Sequence, residues 1–309
     1  MNSEVKVMET TMIRSRVRVR DYIELMKPEL TCLSVLTALC GFYLATTGPF
    51  QYWLFFNIAL GTLLVGGGAG ALNQYIERNY DALMKRTERR PLPAGRMQPN
   101  DVLIFGIVIS FLGIAELSFF TNLLTGFLAV ITWATYLFLY TPLKRVTPFS
   151  TVIGGIPGAL PPMMGWTAVR NDVTIEAWIL FAILFFWQMP HFFSLAWMYR
   201  KDYARAGFKI LTVMDENGTR TSRHILGYTV ALLPASLAPT YWGMTGAVSV
   251  IGALLLGTGF LIFSIILVRF SGHPEPEALG KITFYSRRMF FASLIYLPAL
   301  MLLMTLDKL

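Results

Sequence analysis

Charged side chains and cysteines are both scarce in this sequence. Asp, Glu, Lys and Arg make up only 14% of the 309 residues, whereas 55% are hydrophobic. Soluble globular proteins carry about 25% charged residues, so this chain has too little polar surface to cover a water-soluble body. The two cysteines, Cys32 and Cys40, lie in one apolar run, about 12 Å apart along a helix, which excludes a disulfide bond between them. The composition therefore predicts a membrane protein without internal crosslinks.

Long apolar runs are abundant instead. Nine of them are long enough to cross a hydrocarbon layer of about 30 Å. They lie at residues 28–46, 52–76, 101–119, 123–140, 148–168, 176–199, 224–243, 246–268 and 286–305. The connections between them are too short for a separate soluble domain. We therefore predict an all-α fold, in which residues 1–309 form one integral membrane domain: a polytopic bundle of about nine transmembrane helices around a central cavity that opens to the cytoplasmic face.

The positive charges predict the orientation of this bundle. With the N-terminus inside, the inner segments are 1–27, 77–100, 141–147, 199–223 and 269–288, and they hold all but two of the 26 lysines and arginines. Cytoplasmic loops of membrane proteins are enriched in these residues. The net charge of +8 therefore requires no nucleic acid as a partner. We predict a location in the bacterial cytoplasmic membrane, with the N-terminal tail and the active-site loops in the cytoplasm and the C-terminus outside.

A column of oxygen-bearing side chains ends the second apolar run. Asn73, Glu77, Asp81 and Lys85 repeat every four residues, a spacing that places neighbours on one face of a helix. The first three offer the oxygen ligands that Mg²⁺ prefers, and polar groups at membrane depth are usually functional. The basic residues that follow, which suit the oxygens of a polyphosphate, are Lys85, Arg86, Arg89, Arg90 and Arg96. The alternative is that these charges form ordinary ion pairs at the membrane surface.

Lys144 and Arg145 form a second basic cluster, at the inner end of the fourth run. Their alternative role is to set the topology alone. The Gly/Pro-rich segment 154–166 follows them, and we expect it to be flexible. Irregular backbone at membrane depth is tolerated only where it is buried in protein or lines a cavity. We therefore predict that this segment forms one wall of a substrate pocket.

A third cluster lies in and after the sixth run. Gln188 and His191 are within the run, where an ionisable or polar side chain favours a functional role. Asp202 follows at its inner end and is a candidate for a second carboxylate opposite the column. Its alternative is an ion pair with Arg200 or Arg205.

These motifs resemble a known family. The pattern N-x-x-x-E-x-x-Y-D-x-x-M-x-R-T-x-x-R-x-x-x-x-G, from Asn73 to Gly95, is similar to the signature of the intramembrane prenyltransferases of the UbiA type. Within that superfamily, the segments YTPLKR, GALPPMMGW and WQMPHFFSLAWMYRKDYARAG resemble the branch of protoheme IX farnesyltransferases, or heme O synthases. Other branches often carry two aspartates four residues apart where this chain has Asp202 followed by Arg205, Ala206 and Gly207, a departure that favours heme as the acceptor.

The resemblance implies an activity and roles for individual residues. The family transfers the farnesyl group of farnesyl diphosphate to a vinyl group of heme b, with addition of water, and releases diphosphate. Mg²⁺ is the implied cofactor, with Asn73, Glu77 and Asp81 as its ligands and with Lys85 and Asp202 as further catalytic residues. The residues expected to bind the diphosphate are Lys85, Arg86, Arg90, Lys144 and Arg145. Heme is expected to contact Gln188 and His191, with the choice between heme iron and a propionate left open for His191.

Two other functions remain possible from the sequence alone. One is a prenyltransferase of the same fold with an aromatic acceptor of the quinone or chlorophyll type. The other is a transporter or heme-binding membrane protein without catalysis, although the charges here crowd the inner rim rather than the membrane midplane. The expected partners are heme b, farnesyl diphosphate and the lipid bilayer, with a heme a synthase or a terminal oxidase as the acceptor of the product.

Overall fold

The computed structural model describes residues 18–273 and 275–309. Within these residues the fold is all-α, as predicted, and the β-structure consists of one isolated bridge between Thr245 and Lys308. The basic stretch RSRVRVR begins at residue 14, so its first four residues lie outside the described residues, together with the rest of the tail before them.

Twelve helices follow one another along the described chain. Their bounds are α1 Val19–Leu25, α2 Pro28–Ala45, α3 Tyr52–Asp81, α4 Pro99–Phe120, α5 Leu123–Leu143, α6 Ser150–Arg170, α7 Ile175–Met198, α8 Arg200–Arg205, α9 Leu211–Met214, α10 Thr219–Tyr241, α11 Ala247–Phe270 and α12 Pro276–Leu306. Helix α5 contains a π-helical segment, Thr135–Tyr140. Such segments rotate the following side chains relative to a regular α-helix and are frequent at functional sites.

Seven of the described helices are long and apolar enough to cross a membrane: α2, α3, α4, α5, α7, α11 and α12. Helices α6 and α10 have 21 and 23 residues, which is also sufficient for a span, but their mean hydropathy is lower, in α6 because of its many Gly and Pro residues and in α10 because of its polar start. Helix α10, for example, begins with the sequence TRTSRH. The predicted runs thus correspond to nine long helices in the described residues, of which seven have the composition of a span.

The Gly/Pro-rich segment 154–166 is regular helix, and the expectation that it is flexible was wrong. It lies inside α6, which includes Pro157, Pro161 and Pro162 without a break. Its glycines serve close packing: a Cβ atom at Gly165 would collide with the carbonyl of Ala38 on α2. The tight α2–α6 contact explains why small residues are needed here, as in other membrane helix pairs.

The helices pack in two groups. Helices α2 to α6 surround one another, and α7, α10, α11 and α12 form the second group, which meets the first where α7 packs on α6 and α12 approaches α2. At one end of the bundle, Lys27 contacts Asn73 of α3, and Lys144 contacts Glu77. The segment between α8 and α9 joins them, since the Lys209 amide donates to the Lys144 carbonyl at 2.9 Å. We call this end of the bundle the charged end.

Candidate active site at the charged end

The predicted column is buried in the last turns of α3. Asn73, Glu77 and Asp81 have exposed fractions of 0%, 6% and 1%. Their side chains face other protein elements rather than lipid, because their spacing keeps them on the inner face of the helix. The structure therefore brings together the three residues that the sequence predicted as one set.

Each member of the column contacts one cation from a different part of the chain. Lys27 donates from Nζ to Oδ1 of Asn73 at 2.5 Å. Lys144 donates from Nζ to the two carboxylate oxygens of Glu77 at 2.8 and 3.1 Å. Arg90 forms an ion pair with Oδ2 of Asp81 at 2.8 Å. These contacts form two ion pairs, Lys144–Glu77 and Arg90–Asp81, beside a charge–amide hydrogen bond between Lys27 and Asn73.

The electrostatics of the two lysines differ because their partners differ. Burial alone would lower the pKa of Lys144, but the carboxylate of Glu77 outweighs it, so the pKa of Lys144 is raised and its charge is secure. Lys27 contacts a neutral amide instead. Burial, together with the positive charges of Arg90 and Lys144, lowers the pKa of Lys27 to about 7. Lys27 is therefore a cation that an incoming anion would stabilise.

The ion pairs leave one oxygen of the column without a partner, and a divalent cation could occupy that place. Oδ1 of Asp81 is buried and has no hydrogen-bond partner, and such an orphan acceptor is costly unless a ligand completes it. The described residues contain no group of three or more His, Cys, Asp or Glu that could hold a metal. Two carboxylates and one amide are therefore the donors here. That incomplete set suits Mg²⁺, which commonly keeps waters and substrate phosphates among its ligands.

The helix ends before Lys85, so the prediction that this residue extends the column was wrong. Helix α3 stops at Asp81, and the hydroxyl of Thr87 donates to the Asp81 carbonyl at 2.8 Å, which turns the chain back. Met84 is buried by this turn, and Lys85 is exposed.

The remaining predicted basic residues form two groups. Arg145 donates to the hydroxyl of Tyr80, next to Asp81 on α3, at 2.7 Å, whereas Arg86 donates to that of Tyr203 on α8 at 3.2 Å. Arg96 is different: it pairs with Asp21 and with Glu24, the latter at 2.7 Å. It thus attaches α1 to the loop after α3, in agreement with the ordinary ion-pair alternative.

The third predicted cluster separates into distinct sites. Asp202 forms an ion pair with Arg205 at 3.0 Å, which is the alternative weighed for it. Gln188 was predicted to contact heme, but it is buried between helices, and its Nε2 donates to the Gly155 carbonyl of α6 at 2.7 Å. The small Gly residues of α6 leave room for this amide, and its hydrogen bond is structural. His191 faces α12 instead, and its Nδ1 lies 2.7 Å from Oγ of Ser293.

An apolar cavity of about 190 Å³ begins at Lys27, beside the column. Lys27, Tyr140 and Gly154 line it near the charged end. Ser34, Thr62, Thr132 and Met164 line it farther along the same helices, and Phe192 of α7 contributes another part of the wall. Residues of α6 therefore do line a cavity, as predicted, although as regular helix. Its mostly apolar lining, with Lys27 at the charged end, suits a hydrocarbon attached to a charged head group.

Comparison with known proteins identifies the architecture. The model of the UbiA prenyltransferase family matches residues 34–300. The chain belongs to the UbiA prenyltransferase family. Protoheme IX farnesyltransferase of Solibacter usitatus is 44% identical over 94% of this chain and 99% of that protein, and the protein of the same name from Koribacter versatilis is 43% identical over 94% and 93%.

Solved structures agree on the fold. A UbiA homolog from Archaeoglobus fulgidus, bound to DMAPP and Mg²⁺, has a TM-score of 0.68 at 13% identity and covers 90% of this chain and 99% of its own. A digeranylgeranylglyceryl phosphate synthase has a TM-score of 0.74 at 16% identity over 93% and 98%. The prediction that this chain is an integral membrane prenyltransferase of the UbiA type is confirmed.

Lys27, Tyr136 and Tyr140 were missed as site residues. Lys27 precedes Pro28 at the inner end of the first run, and it was counted only as a charge that sets orientation. Its backbone has a φ of 49°, a left-handed conformation that is uncommon outside Gly and often marks functional sites. Tyr136 and Tyr140 are brought to the cavity by the π-helical segment, for which the apolar sequence gives no signal.

Proposed function

We propose that this enzyme transfers the farnesyl group of farnesyl diphosphate to a vinyl group of heme b and adds water, giving heme o and diphosphate. The observation that carries the proposal is the buried column of Asn73, Glu77 and Asp81, with its cations, at the end of an apolar cavity. The near full-length similarity to proteins named protoheme IX farnesyltransferase supports heme as the acceptor. The departure after Asp202 favours it over an aromatic acceptor.

The cations of the site bind and stabilise the diphosphate. Lys27, Lys144 and Arg90 already contact the column, Arg145 lies beside it at Tyr80, and Arg86 contacts Tyr203 of α8. A diphosphate among these groups exchanges their present partners for phosphate oxygens. Asn73, Glu77 and Asp81 would hold Mg²⁺, which would supply further positive charge to the leaving group. Preorganised charge of this kind is usually the largest single contribution to catalysis.

The cavity holds the isoprenoid and protects its cation. When the bond between the allylic carbon and the diphosphate oxygen breaks, the oxygen keeps the electron pair and the carbon becomes cationic. The rings of Tyr136, Tyr140 and Trp133 line the cavity, and aromatic faces attract cations. The heme vinyl then forms a carbon–carbon bond to the allylic carbon. Water captures the resulting cation beside the porphyrin and loses a proton, which completes heme o.

The distribution of the same charges indicates how the protein is oriented in the membrane. We place the charged end at the cytoplasmic side of a bacterial membrane, with the C-terminus outside, because the lysines and arginines concentrate at that end. The chain acts as one catalytic domain, and its partners are heme b, farnesyl diphosphate and lipid. A heme a synthase or a terminal oxidase is the proposed acceptor of the product.

The direct test is Asp81→Asn in purified enzyme, with heme b and farnesyl diphosphate as substrates and chromatography of the extracted heme as the assay. The substitution removes one of the charges that hold the cation, so we expect turnover to fall by about 100-fold or more. Glu88→Gln is the matched control, because Glu88 is exposed in the loop just after α3, and its turnover should not change. Near-normal turnover of Asp81→Asn would overturn the metal assignment. A wild-type enzyme that prenylates an aromatic acid but not heme b would overturn the choice of acceptor.

A further inference from the structure

The ring of His191 is held in one plane by aromatic neighbours. Trp187, one turn earlier on α7, stacks on it with centroids 5.2 Å apart and an interplanar angle of 23°. Phe290 of α12 lies 4.8 Å away at 33°. Both helices therefore fix the direction in which the two ring nitrogens point. Such restraint of an imidazole is what a metal ligand requires.

The hydrogen bonds around Ser293 define which nitrogen of His191 carries the proton. The hydroxyl of Ser293 donates to the Phe290 carbonyl at 2.5 Å. A hydroxyl has one proton to donate, so its contact of 2.7 Å with His191 Nδ1 requires that Nδ1–H be the donor. In the neutral ring, Nε2 then carries the lone pair.

Ser293 itself is firmly placed. It is fully buried, and its carbonyl accepts a hydrogen bond from the Trp187 indole at 2.9 Å. Ser293 thus links α12 to α7 by two hydrogen bonds, one between its carbonyl and Trp187 and one between its hydroxyl and His191. Only the side-chain bond sets the tautomer of His191.

In the part of the chain that the structure describes, Nε2 of His191 is the ring nitrogen that the protein leaves unpaired. It has no hydrogen-bond partner among the described residues, and His191 is only partly buried. Among the residues that the structure describes, the ion pairs do not include this ring. A lone pair cannot donate to a propionate, whereas it is the group that binds heme iron.

We propose that Ser293 is a positioning residue that holds His191 in the Nδ1–H tautomer, so that Nε2 is an axial ligand of the iron of the substrate heme. The proposal rests on the proposed function and deepens it, because it assigns His191 to iron rather than to a propionate. It also gives Ser293 a role beyond helix packing. Hydrogen-bond partners of ligating histidines typically change metal affinity by about 10- to 100-fold when they are removed.

The test compares two porphyrins that differ only in the metal. Heme b and metal-free protoporphyrin IX carry the same propionates and vinyl groups, but only heme b offers iron. Their affinities are measured by spectroscopic titration of wild type, His191→Ala, Ser293→Ala and Ser293→Thr in full-length protein. Ser286→Ala is the matched control, because Ser286 is also buried on α12, and its hydroxyl has no hydrogen-bond partner.

We expect His191→Ala and Ser293→Ala to lose heme b affinity, the latter by about 10-fold, without a comparable loss for metal-free protoporphyrin IX. The iron–histidine stretching band should shift in Ser293→Ala, because Nδ1–H no longer has its acceptor. Ser293→Thr, which keeps the hydroxyl, should restore both properties, and Ser286→Ala should resemble wild type. Equal losses for both porphyrins, or no loss for heme b, would overturn the proposal.

Two controls separate the possible failures. Binding of farnesyl diphosphate at the charged end shows that each variant is folded, and if His191→Ala fails this check, Ser293→Ala alone decides. Conversion of heme b to heme o by the wild-type preparation tests the proposed function independently. If the wild type forms heme o but Ser293→Ala binds both porphyrins as well as the wild type does, the function stands and only the assignment to iron is overturned.

Discussion

The lowered pKa of Lys27 leads to a measurable coupling between protons and substrate. Burial and the nearby charges of Arg90 and Lys144 lower this pKa to about 7, so in the substrate-free enzyme Lys27 loses its charge as the pH rises through 7. A diphosphate beside Lys27 would reverse this shift. Two unit charges about 4 Å apart interact by about 4 kcal/mol at an effective dielectric constant of about 20, which corresponds to about three pKa units.

The expected result is proton uptake on binding that depends on pH. At pH 8.5 the free enzyme holds Lys27 mostly neutral, whereas the complex holds it charged, so binding should take up nearly one proton. At pH 6 Lys27 is charged in both states and takes up no proton, so any proton exchange there belongs to the phosphate groups of the ligand. By linkage, the affinity for the diphosphate should fall by up to about tenfold per pH unit above pH 7. Phosphate groups ionise near pH 6, so the ligand itself contributes little at pH 8.5.

The assay is isothermal titration calorimetry with a non-reacting thio analogue of farnesyl diphosphate, in buffers with different ionisation enthalpies. Lys27→Arg is the informative variant, because arginine stays charged throughout this range. It should bind the analogue without proton uptake. Lys27→Gln should lose both the uptake and part of the affinity. Equal uptake in wild type and Lys27→Arg at pH 8.5, or none in wild type, would refute the reasoning.

Two further substitutions test the packing and the cavity. Gly165→Ala places a methyl group against the Ala38 carbonyl, so we expect a clear loss of thermal stability in detergent. Gly259→Ala is the control: the space around its Cβ is open, and its melting temperature should equal that of the wild type. Met164→Ala enlarges the cavity away from the charged end, so geranylgeranyl diphosphate should become a better substrate relative to farnesyl diphosphate in a competition assay. Met163→Ala removes an equally buried neighbour that does not line the cavity, and an equal change in chain-length preference there would contradict the assignment.

The column of oxygens was predictable because its physical cause is local. Polar residues that recur every four positions in an apolar run can share only the inner face of a helix, since the lipid-facing side would leave them unpaired. Asn73, Glu77 and Asp81 are therefore buried as expected. The same local argument failed at Lys85, because the end of α3 depends on the turn through Thr87 and not on the periodicity.

The partners of the column could not be predicted because they come from distant parts of the chain. Lys27 reaches Asn73 across 46 positions, and Lys144 reaches Glu77 across 67. The two lysines also belong to the positive charges that predict the orientation in the membrane. The sequence therefore does not separate this role from a role in the site. Gln188 was predicted to contact heme because it is a polar residue in a span; the structure pairs its Nε2 with the Gly155 carbonyl, and Gly158 leaves room for the amide.

The ion pairs Lys144–Glu77 and Arg90–Asp81 also explain how buried charges can exist in the substrate-free enzyme. Breaking a buried pair by removing one partner is strongly destabilising, because an uncompensated charge remains. A diphosphate that takes Lys144 and Arg90 alone would leave Glu77 and Asp81 unpaired, and a divalent cation alone would leave the two basic side chains unpaired. When both enter, each protein charge exchanges one opposite partner for another. The paired arrangement therefore favours joint binding of the metal and the diphosphate over binding of either one, and it limits the occupancy of the site until the complete substrate arrives.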